Sequence, residues 1–181
     1  MSTRTEPIEL LRSCTATTVP YGTQITLDAG GIVQVVQRLG GSITVRTEMG
    51  TLLRIDGEDA DALGLDPVEA EAAATEGPFE MSQVIEALQG IYDPEIPVSI
   101  VELGLVYRCE EFPGPDGTRR IEIDMSMTAP GCGMGDVLRA DALRAVEAIP
   151  GVDAVEVNVV WDPPWSVARM SEAARLQLGL L

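Results

Sequence analysis

Across one short break in the second half of the chain, the spacing of apolar residues changes from every second position to helical spacing. Ile121-Glu122-Ile123-Asp124-Met125-Ser126-Met127 alternates apolar and polar side chains, the period of a half-buried strand. Pro130-Gly131 breaks it, and Met134, Leu138, Ala142, Val146 and Ile149 then recur at helical spacing as far as Pro150-Gly151. Asp136 adds an acid to the first turn, so Cys132 falls at or just before the helix start. There the unpaired backbone N–H groups and the positive end of the helix dipole favour a thiolate over a thiol. Gly131 and Gly133 leave room for a ligand or another backbone to approach the sulfur, and Thr128 and Pro130 complete the turn. A free cysteine is just as often a small buried hydrophobe, so position alone leaves both roles open.

The rest of the chain divides into three stretches. Residues 1–57 read as a small β-rich domain in which glycine turns separate Ile25–Leu27, Ile32–Leu39, Ser42–Thr47 and Thr51–Ile55. Gly40-Gly41 is a hairpin corner and not a phosphate cradle, because no helix signal follows it. Residues 58–77 turn to acid and alanine, including Glu69-Ala70-Glu71-Ala72-Ala73-Ala74, and read as a linker that is helical in part. Residues 78–181 give a helix on Met81, Val84, Ile85 and Leu88, then strands at Leu105–Phe112 and 121–127 joined by Pro113-Gly114-Pro115-Asp116-Gly117. The Cys132 helix follows, then a strand over Val152–Trp161 and a closing helix over Val167–Leu178. Leu105, Tyr107 and Cys109 share a strand face, which places Cys109 in the core. The fold class is α+β, an α-β-β-α-β-α unit with a three-stranded sheet behind a small all-β domain.

Charge and composition exclude several mechanisms. There is no lysine and no histidine, and all twelve basic residues are arginine. A Ser-His or Cys-His pair, an imidazole metal ligand, a Schiff base and a P-loop are therefore all unavailable. Residues 55–107 hold thirteen acids and no base, within a net charge of −17 that repels phosphate backbones, so nucleic acid is not an expected partner. Three widely spaced cysteines, Cys14, Cys109 and Cys132, suit neither a disulfide framework nor a zinc motif, and a reducing, cytoplasmic setting is expected. The first twenty residues lack an apolar signal region and no stretch approaches a membrane span, so neither secretion nor a membrane partner is expected.

Two further clusters carry candidate chemistry. Asp93 and Glu95 lie between prolines, and in an extended segment carboxylates at i and i+2 point to one side. They could bind a hard cation, take a proton from a thiol or receive an arginine; a solvated loop that ends a helix is the plain alternative. Trp161-Asp162-Pro163-Pro164-Trp165 holds both tryptophans on a proline-stiffened corner that either packs on the sheet end or meets a partner.

Asp93-Pro94-Glu95-Ile96-Pro97-Val98, Glu102-Leu103-Gly104-Leu105-Val106-Tyr107, Met127-Thr128-Ala129-Pro130-Gly131-Cys132 and Trp161-Asp162-Pro163-Pro164-Trp165 together resemble the iron-sulfur cluster assembly domain family of bacterial SufT and its cytosolic relatives, over roughly residues 78–181. Gln37-Arg38-Leu39-Gly40-Gly41 and Asp59-Ala60-Asp61-Ala62-Leu63-Gly64 also look like the N-terminal extension of SufT proper. The resemblance implies a non-enzymatic maturation factor that helps deliver iron-sulfur clusters to apo-proteins alongside SUF-type assembly proteins. It places the reactive cysteine on Cys132 and the acidic motif on Asp93 and Glu95. A cluster usually takes four thiolates, and one chain offers a single exposed sulfur, so the expectation is transient contact with a cluster or iron and no stably bound cofactor. A homodimer would bring two such sulfurs.

The same domain also resembles the accessory subunit of the phenylacetyl-CoA oxygenase complex. That subunit typically extends into additional metal-binding cysteines, and this chain has none after Cys132. A thiol-dependent enzyme with Cys132 as nucleophile and Asp93 or Glu95 as base lacks a histidine and a substrate motif.

Overall fold

A computed structural model of the chain describes residues 6–68 and 77–180. The backbone divides into two compact units, residues 1–71 with 94–97 and residues 72–93 with 98–181.

The first unit holds β1 (Ile8–Glu9), β2 (Cys14–Val19), β3 (Gln24–Leu27), β4 (Ile32–Leu39), β5 (Ser42–Thr47) and β6 (Leu52–Asp56). They form one antiparallel sheet in the order β1-β4-β5-β6-β2-β3. β4 and β5 begin and end where the alternation of apolar residues ends. Gly40 and Gly41, with φ of 64° and 73°, supply the two left-handed positions that a tight hairpin with correctly twisted strands needs. Ile43, Val45, Leu53 and Ile55 are fully buried on the two central strands. Thr44 Oγ1 donates to the Pro94 carbonyl at 3.2 Å within the same unit.

Two expectations change here. β1 and β2 were not legible as strands, and the acidic linker does not begin at residue 58. Gly57–Leu63 instead forms a 3₁₀ helix that joins the core through Ala60, Ala62 and Leu63. Its acids turn outward, and Arg12 reaches Asp59 at 2.8 Å and Asp61 at 2.5 Å. Gly57 sits where a Cβ would lie 2.0 Å from the Val68 carbonyl oxygen, so the chain after the helix closes against its start. The Glu69–Ala74 run, and the helix expected there, lie outside the described residues.

In the second unit come α1 (Met81–Gln89), β7 (Val106–Pro113), β8 (Arg119–Met125), α2 (Gly135–Glu147), β9 (Ala154–Val159) and α3 (Glu172–Gln177). The architecture is mixed α+β, with a three-stranded sheet in the order β7-β8-β9. β7 and β8 make an antiparallel hairpin, whereas β9 runs parallel to β8 and is reached through α2, the crossover that a parallel pair requires. β8 alternates as its sequence dictates: Ile121, Ile123 and Met125 are fully buried, and Glu122 and Asp124 are not. α2 buries Leu138, Ala142 and Val146 on one face. The Gln83 side chain accepts the Glu80 N–H at 3.2 Å, which satisfies an otherwise unpaired donor at the start of α1.

The closing helix expected over Val167–Leu178 is broken. Val167–Arg169 is a 3₁₀ turn, and α3 begins afresh after Ser171, whose hydroxyl accepts the Ala174 N–H at 3.0 Å. Serine in an extended backbone is a better cap than helix interior residue. A bulge between Val106 and Arg108 shifts the β7 register, and Cys109 is half-buried and not sealed in the core. Among the described residues no helix is long and apolar enough to cross a membrane.

Candidate functional site

β8 ends at Met125, and the chain turns through Ser126–Gly133 before α2 starts after its cap residue Met134. Cys132 therefore lies two residues ahead of the cap, as the spacing predicts. Its N–H donates to the Ala129 carbonyl at 3.4 Å and its own carbonyl accepts the Gly135 N–H at 3.3 Å, so the turn leads directly into the helix. Met127 and Met134 anchor the two ends of the turn in the core at 3 % and 2 % exposure. Between them Ala129, Pro130 and Gly131 are exposed, and Thr128, Cys132 and Gly133 are half-buried. Gly131 has φ of +78° and open space where a Cβ would point, so this turn needs glycine for its backbone and leaves the approach uncovered.

The three thiols differ by placement. Cys14 is buried in β2 of the first unit, where burial and then the charge of Asp59 push its thiol up. Cys109 on β7 is pushed up to about 11, first by burial and then by Glu110. Cys132 sits on the turn.

The acidic motif is bent, not extended. The Asp93 N–H donates to the Val98 carbonyl at 3.3 Å, and Tyr92 bridges Ser99, so the intervening residues close into a loop. Asp93 is buried and Glu95 exposed, and the two fall in different compact units. The reading that they share one side of an extended segment is thus corrected: the prolines sit in successive bends, which break the alternation that would align i and i+2. Among the described residues no three cysteine, aspartate or glutamate side chains gather closely enough to hold a metal ion.

In the Trp161–Trp165 corner residues 161–164 are exposed, and Trp165 is half-buried. Trp165 Nε1 donates to the Leu103 carbonyl at 2.7 Å, while Trp161 remains 48 % exposed and Asp162 is exposed. Tyr107 Oη donates to the Pro163 carbonyl at 2.9 Å, and the Arg169 guanidinium stacks 3.8 Å from the Tyr107 ring centroid. The Ser171 N–H donates to the Glu102 carbonyl at 2.9 Å, and its hydroxyl donates to the Glu102 carboxylate. At Gly104, φ is +69° and a Cβ would lie 2.1 Å from the Arg169 carbonyl oxygen, so residues 163–171 lie directly on residues 102–107.

Ser126 escaped the sequence reading. It is 1 % exposed, its N–H donates to the Leu105 carbonyl at 2.8 Å, and its hydroxyl has no hydrogen-bond partner among the described residues. Its one signal was a polar residue in the apolar run Met125–Met127.

Comparison with known proteins converges on this unit. Residues 81–159 match the family model described as iron-sulfur cluster assembly protein. A Porphyromonas gingivalis protein named Fe-S protein maturation auxiliary factor is 38 % identical over 98 residues, 54 % of this chain and 90 % of that one. The Bacillus subtilis Fe-S protein maturation auxiliary factor YitW is 35 % identical over 54 % of this chain and 91 % of its own length. The Staphylococcus aureus Fe-S protein maturation auxiliary factor SufT is 37 % identical over 50 % of this chain and 98 % of its own. With a relative of such identity covered almost from end to end, the chain belongs to the iron-sulfur cluster assembly protein family.

Proposed function

We propose that this protein is an auxiliary factor of iron-sulfur cluster assembly that passes a cluster or iron to apo-proteins through the thiol of Cys132. The observation that carries this reading is the uncovered glycine turn that sets Cys132 between β8 and α2, inside the segment that matches the family. The N–H groups at the start of α2 suit the negative charge of a thiolate-ligated cluster.

The cluster is cargo. Delivery is ligand exchange without net redox chemistry: the recipient's thiol loses its proton as its sulfur takes the iron, and the Cys132 sulfur regains one as its iron bond breaks. One sulfur from this chain leaves the other ligand positions to the recipient or a small thiol. A second copy of the chain would add a second Cys132. The reading makes the protein a carrier and not an enzyme, working in the cytoplasm with SUF-type assembly proteins. Similarity to maturation factors YitW and SufT supports it over the oxygenase-subunit alternative.

The test is Cys132→Ser in cells. Iron-sulfur enzymes such as aconitase should lose activity while iron-free enzymes keep theirs. Equal activities in both sets overturn the proposal.

A further inference from the structure

From the way residues 161–171 return across the sheet, we infer that this C-terminal segment is a positioning clasp for the Cys132 turn, with Trp165 and Tyr107 as its positioning residues. The inference rests on the reading of Cys132 as the transfer thiol.

β8 is the central strand, and its exit is held on both sides. The Val160 N–H, just past β9, donates to the Met125 carbonyl at 2.8 Å. On the other flank the Ser126 N–H donates to the Leu105 carbonyl at 2.8 Å, just before β7. Because β9 is parallel and β7 antiparallel to β8, the end of β9 and the start of β7 flank the same end of β8. The chain leaving β9 crosses that end and ties itself to the start of β7 through three contacts. Tyr107 Oη holds the Pro163 carbonyl, Trp165 Nε1 holds the Leu103 carbonyl, and Arg169 stacks on Tyr107. The ring is closed tightly, since Gly104 has no room for a Cβ beneath the Arg169 carbonyl.

β8, whose end these contacts flank, continues into Thr128–Gly133. Leu103 is itself fixed from below, its N–H donating to the Ser99 carbonyl at 2.9 Å, and the Leu105 N–H donates to Ile100 at 3.0 Å. A shift of the Leu103–Leu105 backbone therefore moves the acceptor of Ser126 and with it the start of the Cys132 turn. Coupling of this kind acts through a contiguous set of hydrogen bonds and has discrete partners that can be removed singly.

Two variants of the full chain test it. Trp165→Phe keeps a ring and loses the Nε1 donor, and Tyr107→Phe loses only the hydroxyl. Site-resolved alkylation by iodoacetamide, followed from neutral to alkaline pH, reads Cys132 and Cys109 separately. The clasp predicts that the Cys132 rate or its pH midpoint shifts by about twofold or more in each variant that folds, while Cys109 keeps its profile. Superimposable Cys132 profiles, even with a lowered melting temperature, overturn it. Cys132→Ser in the recipient-enzyme assay separates the two proposals. Full recipient activity there removes the transfer reading, and the alkylation profiles still decide the clasp.

Discussion

The two units handle buried polar groups differently. In the first, Ser42 to Val45 is buried throughout, and its hydroxyls are matched: Ser42 Oγ donates to the Leu39 carbonyl at 3.3 Å and Thr44 Oγ1 to the Pro94 carbonyl at 3.2 Å. Its one thiol, Cys14, is buried and pushed up. In the second, the central strand β8 is buried on alternate residues only, and its exit leads to a half-buried thiol on a glycine turn and to a buried hydroxyl without a partner. A satisfied interior resists change and offers nothing to a ligand, whereas unmatched or exposed groups are where chemistry can enter. The family match, residues 81–159, lies over the region where matching is incomplete.

The largest expected effect belongs to the matched core. Ile43 is fully buried on a central strand, and Ile43→Ala should lower stability by about 2–5 kcal/mol, read as a lower urea midpoint. A loss under about 1 kcal/mol would show that the first unit is loosely packed and would break the comparison. Cys109 gives the next effect. Its raised pKa means that the folded state holds a proton that the unfolded chain releases at lower pH, so stability is intact below about 9 and declines as pH rises toward about 11. The cause is burial ahead of Glu110, and Cys109→Ser should flatten that alkaline decline in denaturation curves. At pH 8 Cys109 should also alkylate about 100-fold more slowly than an ordinary free cysteine, because two pKa units separate their thiolate fractions.

The extent to which sequence revealed these regions follows the reach of each interaction. β4, β5 and their Gly40-Gly41 turn are local, and alternation with a two-glycine corner specified them nearly to the residue. The Cys132 turn was legible for the same reason, because the change of period and Pro130-Gly131 are adjacent in the chain. β2 was hidden because Cys14-Thr-Ala-Thr-Thr-Val presents small polar residues where a central strand is buried at Ala16 and Thr17 alike. The 3₁₀ helix was hidden in an acid-rich run, since only the fold shows Ala60, Ala62 and Leu63 turning in while Asp59 and Asp61 turn to Arg12. Val167, Met170, Ala174 and Leu178 do fit one helical face, and the break at Ser171 depends on Glu102 nearly seventy residues away. The clasp was beyond reach, because its acceptors, Leu103 and Pro163, are backbone carbonyls that carry no residue signature.

The smallest expected effect tests the unmatched hydroxyl directly. A buried hydroxyl without a partner loses its bonds to water on folding and regains none, so its removal should relieve a cost where removal of a bonded one incurs it. Ser126→Ala keeps the N–H that donates to Leu105 and deletes only the orphaned oxygen. Stability should therefore hold or rise by up to about 1 kcal/mol, read as an unchanged or higher melting temperature. Thr44→Val in the first unit, which removes a bonded hydroxyl at nearly constant volume, should instead lose about 1 kcal/mol. Opposite signs for two buried hydroxyls would sharpen the contrast between the units. A loss at Ser126 equal to that at Thr44 would show that its oxygen is matched after all, and the contrast would then rest on the thiols alone.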